Sequence, residues 1–277
     1  MAVARKIISY ILAVILSVCI ISATLLLLIS NSILNKTNVK KELLDTDYYY
    51  YVYSIIEDSC NSTILQSGFD SKIMKNVMTE KQVQADVDKL IDCLYDNNKV
   101  DISTTNMRQT LESNIQSYIE QNNYEVSDET KESIKDFENT IIDTYKNNIM
   151  YSEDSIREIS KYLAQITGLV RTAITVILTV SVILLLIVFL LNKSAIGIGL
   201  IIAGSFFMVV KTYSGVNMAI NNVLILNWAF SKSVTCILNN LLQNLFISGI
   251  IMFILGIIII ILGEILKIRN LEKKENK

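Results

Sequence analysis

Two apolar runs dominate the chain. No charge occurs from Ile7 to Ile29, and from Leu169 to Leu191 the only charge is Arg171, in the first turn. A helix rises roughly 1.5 Å per residue, so about 20 such residues cover a bilayer core of about 30 Å. Both runs predict transmembrane helices. A third, Ala195 to Val210, reaches that length by extending through Lys211 into Tyr213, and a fourth begins between Cys236 and Phe246 and ends at Leu266. The first run exceeds the roughly 7 to 15 apolar residues of a cleaved signal peptide, so it reads as an anchor that stays in place.

Between the first two runs the pattern changes to amphipathic helices. Val83, Val87, Leu90, Ile91 and Leu94 recur at spacings of three and four, as do Met107, Leu111, Ile115, Tyr118 and Ile119. Further stripes run Ile134, Phe137, Ile141, Tyr145 and Ile156, Ile159, Leu163, Ile166. Each is one apolar face on a charged helix, and such faces bury each other in a bundle. Thr79 with Gln82 reads as a capping box, Thr104 and Ser127 as N-caps, and Gly68 as the end of a helix that begins near Asp47. No stretch alternates with period two as a half-buried strand does.

The expected fold is therefore all-α: four transmembrane helices with an extracytoplasmic helical-bundle domain inserted between helices 1 and 2. The parts are an anchor at 1–31, the helical domain at 32–167 and a membrane domain at 168–266. In the last, helices at about 169–191, 195–213 and 241–266 frame an interfacial segment, 214–235, in which Val216, Ile220, Val223, Leu224 and Trp228 share a face. Ala195, Gly199 and Ala203 form a small-residue ridge, and Gly249, Gly256 and Gly263 another, both suited to close helix packing.

Charge sets the expected threading. Between Ser32 and Gln165 there are 24 acidic against 14 basic residues, a net of −10, although the whole chain carries only −2. Arg5 and Lys6 precede the first helix, Lys193 occupies the turn after the second, and 267–277 is a basic tail. The positive-inside tendency then puts both termini in the cytoplasm and residues 32–167 outside a plasma membrane. An acidic outer domain lacks the basic face that nucleic acid requires.

The chain has no histidine and no proline. Ser-His-Asp and Cys-His sites and HExxH are thereby excluded. No P-loop occurs, and Gly197 and Gly199 lie within a membrane helix rather than after a strand. Asp86, Asp88 and Asp92 read as a solvated helix face without the spacing of a calcium loop. Neither a catalytic residue, a cofactor nor a metal is expected. Cys60 and Cys93 are either a disulfide on the outer side or two separate thiols. Tyr48, Tyr49, Tyr50, Tyr51 and Tyr53 point around a helix, some inward and some outward, and are the candidate surface patch. Among intramembrane charges only Arg171 and Glu264 occur, both near helix ends where they can snorkel or pair. Thr172, Thr175 and Thr179 form a mild polar stripe that bonding to the preceding turn accounts for.

The order of parts, with LLDTDYYYYVY opening the polar segment and LIDCLYDNNKVDIS continuing it, resembles uncharacterised four-span membrane proteins of low-GC Gram-positive bacteria. The resemblance implies a cell-envelope location and no functional residue. The expected function is a non-enzymatic envelope protein whose outer domain senses or binds a ligand or protein, in contact with lipid and with a partner or second copy through its membrane helices. The alternative is a permease-like or accessory transporter subunit, since cell-division and macrolide-exporter permeases share the layout; Met1 to Lys6 and the Lys193 turn offer an ATPase little to grip. The triplets Asn35-Lys36-Thr37 and Asn61-Ser62-Thr63 are glycosylation sequons and leave a eukaryotic surface protein as a third reading.

Overall fold

A computed structural model describes residues 2–99, 101–149, 153–213, 216, 219–220 and 228–275. The expected interfacial residues Val223 and Leu224 lie outside the described residues. Every regular element among those described is helical: α1 (Ala2–Ser32), α2 (Lys36–Asp45), α3 (Tyr48–Ser67), a 3-10 turn (Ser71–Met74), α4 (Glu80–Asp96), α5 (Thr105–Gln121), α6 (Asp128–Ile149), α7 (Glu153–Leu191), α8 (Lys193–Thr212) and α9 (Trp228–Glu275). Four helices are long and apolar enough to cross a membrane. The chain divides into two compact units, 40–165 on one side and 1–39 with 166–277 on the other. α7 is continuous and shared by both.

In the apolar unit α8 packs against both α1 and α9. Its Gly197 and Gly204 face Gly256 and Gly249 of α9, seven residues apart on each helix. A methyl group built on Gly256 would stand 2.6 Å from the Gly197 carbonyl oxygen, and one on Gly204 2.5 Å from that of Gly249. Ser194 approaches Gly263 in the same way, so the two helices run antiparallel with backbones touching. On another face of α8, Gly199 meets the Ala13 carbonyl, where a methyl group would fall at 2.9 Å. Ala195 and Ala203 are fully buried. The two small-residue ridges read from sequence thus do not meet each other. The alanine-rich ridge contains the contact with α1, while α9 finds Gly197 and Gly204.

One apolar cluster joins Ala13, Val188, Ala195 and Ile196, and a second joins Phe207, Leu241, Leu242 and Leu245 with Ile21, Leu25 and Leu28 of α1. The span of α7 is different: from Leu169 to Leu191 only Val188 is buried. A face this apolar and this open suits lipid or the apolar surface of another helix rather than water. α9 begins at Trp228, before the expected start, because nothing from there to Phe246 breaks a helix: the stretch has neither proline nor glycine.

The polar unit is centred on α3, which packs on α4, α6 and the 3-10 turn, while α5 lies on α6 and that turn. Val52, Ile56, Cys60 and Ile64 of α3 meet Val83, Val87 and Ile91 of α4, Met107, Leu111 and Ile115 of α5 and Phe137, Ile141, Ile142 and Tyr145 of α6 in the core. Gly68, at φ 79°, ends α3 as expected, and the Thr79 hydroxyl accepts from the Gln82 amide at 3.2 Å. Ser127 accepts likewise from Thr130, whereas Thr104 makes no side-chain cap. The fourth stripe needs correction: Ile159 and Ile166 are exposed, and Ser160 is buried instead. Its hydroxyl donates at 2.8 Å to the Leu94 carbonyl at the end of α4, where helical carbonyls lack partners, so a polar residue faces inward without cost.

Two outcomes follow from this packing. Gly256→Val should lower the thermal midpoint of the detergent-solubilised protein by the equivalent of about 1–3 kcal/mol, while Gly168→Ala, where the added methyl meets nothing within 4 Å, should leave it unchanged; equal midpoints for both would refute the contact. Residues 40–165 expressed alone should be soluble and strongly helical by circular dichroism, and Ile91→Asp should unfold that piece, since Ile91 is buried.

Candidate functional site

Helices α5 and α6 part along a groove of about 790 Å³. The groove has an apolar floor, Ile115, Ile119, Val126 and Ile134. Arg108, Glu112 and Gln116 of α5 form one rim, and Lys131, Lys135, Glu138 and Asn139 of α6 the other. The rims follow from helical spacing, since residues four apart stand above one another on one side of a helix. A smaller hollow of about 260 Å³ shares Ile119, Val126 and Ile134 and adds Phe69, Tyr118 and Tyr124. Those rings pack in a chain, Phe69 to Tyr118 at 5.7 Å and Tyr118 to Tyr124 at 6.0 Å between centroids. The size suits a drug-sized molecule or a short peptide segment.

The charges of this groove are unequally satisfied. Arg108 donates to the Asn139 side-chain oxygen at 2.9 Å, and Lys131 pairs with Asp128 at 2.9 Å. Glu138 as a whole residue is only 7% exposed, but among the described residues no buried side-chain oxygen lacks a partner, so its carboxylate, which accepts no protein hydrogen bond, reaches solvent in the groove. Burial, and then the nearby Glu112, push its carboxyl above the usual carboxylate range, with Arg108 and Lys135 opposing the rise.

The other buried acid is fully partnered. Asp86 is 3% exposed, which corrects its reading as part of a solvated face. It accepts from the Tyr145 hydroxyl at 2.7 Å and from Lys89 at 2.9 Å, bonds that repay its loss of water. Asp88 accepts from Tyr49 at 2.6 Å, and Asp92 pairs with Lys40 at 2.9 Å. Burial raises the Tyr49 and Tyr145 hydroxyls far above the ordinary tyrosine value, with the carboxylates adding to the rise. These contacts make the acids of α4 structural staples.

The tyrosine run divides as its spacing requires. Tyr49 is buried, Tyr50 is exposed, and Tyr48, Tyr51 and Tyr53 lie between. The Tyr53 hydroxyl donates to Glu57 at 2.9 Å. Cys60 and Cys93 are separate thiols. Burial lifts the Cys60 thiol to about 11, and the Cys93 thiol donates to the Lys99 carbonyl. Thr172, Thr175 and Thr179 donate to the carbonyls four residues earlier, at 2.8 to 3.0 Å, so their stripe satisfies itself. Arg171 and Glu264 are exposed and far apart in sequence, each near an end of its span. Among the described residues no group of three His, Cys, Asp or Glu is placed to hold a metal.

Sequence spacing named Tyr118, Ile119 and Ile134 as core and passed over the groove that the two isoleucines line and the smaller hollow that Tyr118 borders. Comparison with protein-family models, curated proteins and solved structures gives no match to the chain.

Two substitutions separate staple from site. Tyr145→Phe should cost about 1–3 kcal/mol by leaving Asp86 short of a donor, against almost nothing for the exposed Tyr50→Phe. Glu138→Gln should raise the thermal midpoint at neutral pH. A buried carboxyl whose pKa is raised by folding is penalised where it ionises, so the gain should vanish as pH falls below the ordinary carboxylate range, where both states are protonated. A destabilised Gln variant would show that Glu138 is a staple like Asp86.

Proposed function

We propose that this is a multi-pass protein of the cell membrane, without catalytic activity, whose helical domain at 32–167 lies outside the cytoplasm and senses or binds a ligand or protein partner. The observation that carries the reading is the α5–α6 groove, a concave, part-apolar surface with charged rims, set in a compact unit that the chain forms between its first two membrane helices. Support for the threading comes from the basic residues. The Arg5 guanidinium donates to the Leu190 carbonyl, Lys193 follows one turn of chain later, and Ser194 meets Gly263. Arg5, Lys6, Lys193 and the basic end of α9 therefore belong to one end of the apolar unit, as the positive-inside tendency favours for the cytoplasmic face.

Such a domain signals only through its membrane helices or through a separate protein, because Asn192 alone separates α7 from α8. The exposed span of α7 is where a partner helix or a second copy would pack. The permease-like reading keeps one specific support, the succession of one helix, a polar unit and three helices.

Photo-crosslinking in native membranes tests the choice. A crosslinker at Gln116, on the groove rim, should recover a reproducible ligand or protein adduct, and one at Val182, on the open face of α7, should recover lipid or a membrane partner. A silent Gln116 position together with a stoichiometric ABC-type ATPase in the extract would favour the transporter subunit.

A further inference from the structure

At one end of the apolar unit three helices each present a cation. The Arg5 guanidinium of α1 donates to the Leu190 carbonyl in the last turn of α7, and the Lys193 ammonium, at the start of α8, lies 4.8 Å over the Phe189 ring. Ser194 meets Gly263 of α9, so Arg269, six residues further along that helix, stands about 9 Å beyond the same level. Lys6 follows Arg5 in the chain. All four residues are exposed, and among the described residues none of them pairs with a carboxylate.

Cations elsewhere are engaged. Lys40, Lys89 and Lys131 pair with aspartates of the polar unit. At the other end of the apolar unit Lys232 stands 5.6 Å over the Trp228 ring, and Lys211 has contacts of its own. The end that carries Arg5 is therefore where positive charge is left open, and the tail at 267–277 holds five basic residues against two acidic ones. One or two turns toward the middle of the spans the surface is apolar: Ile7, Ile8, Leu190 and Leu266 are each 46% to 73% exposed.

We propose that this end of the apolar unit binds anionic phospholipid, with the phosphodiester held between Arg5 and Lys193 and the acyl chains along the exposed apolar residues of α1 and α7. The guanidinium has five N–H donors and uses one on Leu190, which leaves a planar edge suited to two phosphate oxygens. Both cations already rest on the last turn of α7, so binding immobilises less of each side chain. A water-soluble anion would gain the charge alone, whereas a lipid also covers the apolar turns beside it. A zwitterionic lipid brings its own cation to the same place and offsets the attraction. The inference needs no ligand in the α5–α6 groove and holds whichever leaflet this end faces.

Native mass spectrometry of the full chain in detergent, titrated with dioleoyl phosphatidylglycerol or dioleoyl phosphatidylcholine, tests this. Phosphatidylglycerol should saturate, and should bind at least about tenfold more tightly than phosphatidylcholine, which has the same tails. Lys6→Gln combined with Lys193→Gln should weaken phosphatidylglycerol by about fivefold per cation, the equivalent of about 1 kcal/mol each. Neither side chain makes a hydrogen bond among the described residues, so the thermal midpoint in detergent should stay where it was. Lys211→Gln combined with Lys232→Gln removes the same charge from the other end and should leave the lipid preference in place. Equal affinity for the two lipids, an affinity unmoved by the first pair of substitutions, or an equal loss from the second pair would each overturn the inference. So would competition by glycerol phosphate at the concentration of the lipid itself, which would mark a site for any phosphate.

Discussion

The fold of the apolar unit depends on one contact, the approach of α8 to α9 through glycine. Lipid tails solvate leucine and isoleucine as well as another helix does, so burial of apolar surface does not drive membrane helices together. Close backbone contact and the dispersion attraction it brings must do that instead. Gly197 against Gly256 and Gly204 against Gly249 leave no space for even a methyl group, and the seven-residue repeat keeps the seam on one side of both helices. With that pair fixed, Gly199 receives Ala13, and α1 is held as a third member. The span of α7 has no such seam. Its threonines bond to their own backbone, and its large residues face outward.

In the polar unit the corresponding constraint is the settlement of buried charge. Asp86 is enclosed, and Tyr145 and Lys89 reach both of its oxygens. Glu138 is buried along most of its side chain, but its carboxylate opens onto the groove. The two acids sit in one small bundle under the same physical rule, Asp86 meeting it through protein donors and Glu138 through the solvent that fills the groove. An apolar floor between charged rims is the lining that a binding surface has.

Much of this was legible from periodicity. Spans, bundle stripes and the Gly68 and Thr79 helix ends follow from local rules that act within a few residues. What escaped depended on which faces meet. The spacing of Gly249, Gly256 and Gly263 announced a close neighbour but could not say that Gly197 and Gly204, rather than the ridge of Ala195, Gly199 and Ala203, would supply it. Asp86 stood beside Val87 and read as solvated, because its tyrosine lies 59 residues away. Ser160 replaced Ile159 on the inner face since the end of α4 needed a donor there, a demand that exists only after the helices are assembled. The groove was hidden for the same reason: Ile119 and Ile134 belong to proper apolar stripes, and only the separation of α5 from α6 leaves them uncovered.

The central claim, that the acidic bundle lies beyond the membrane while both ends of the chain stay in the cytoplasm, is most directly tested by labelling intact cells with a membrane-impermeant maleimide. In a variant freed of its native cysteines, a single cysteine at Ser127 should react before lysis, and one at Asn270 only after it. Labelling of the Asn270 position in unbroken cells, with Ser127 protected, would contradict the account.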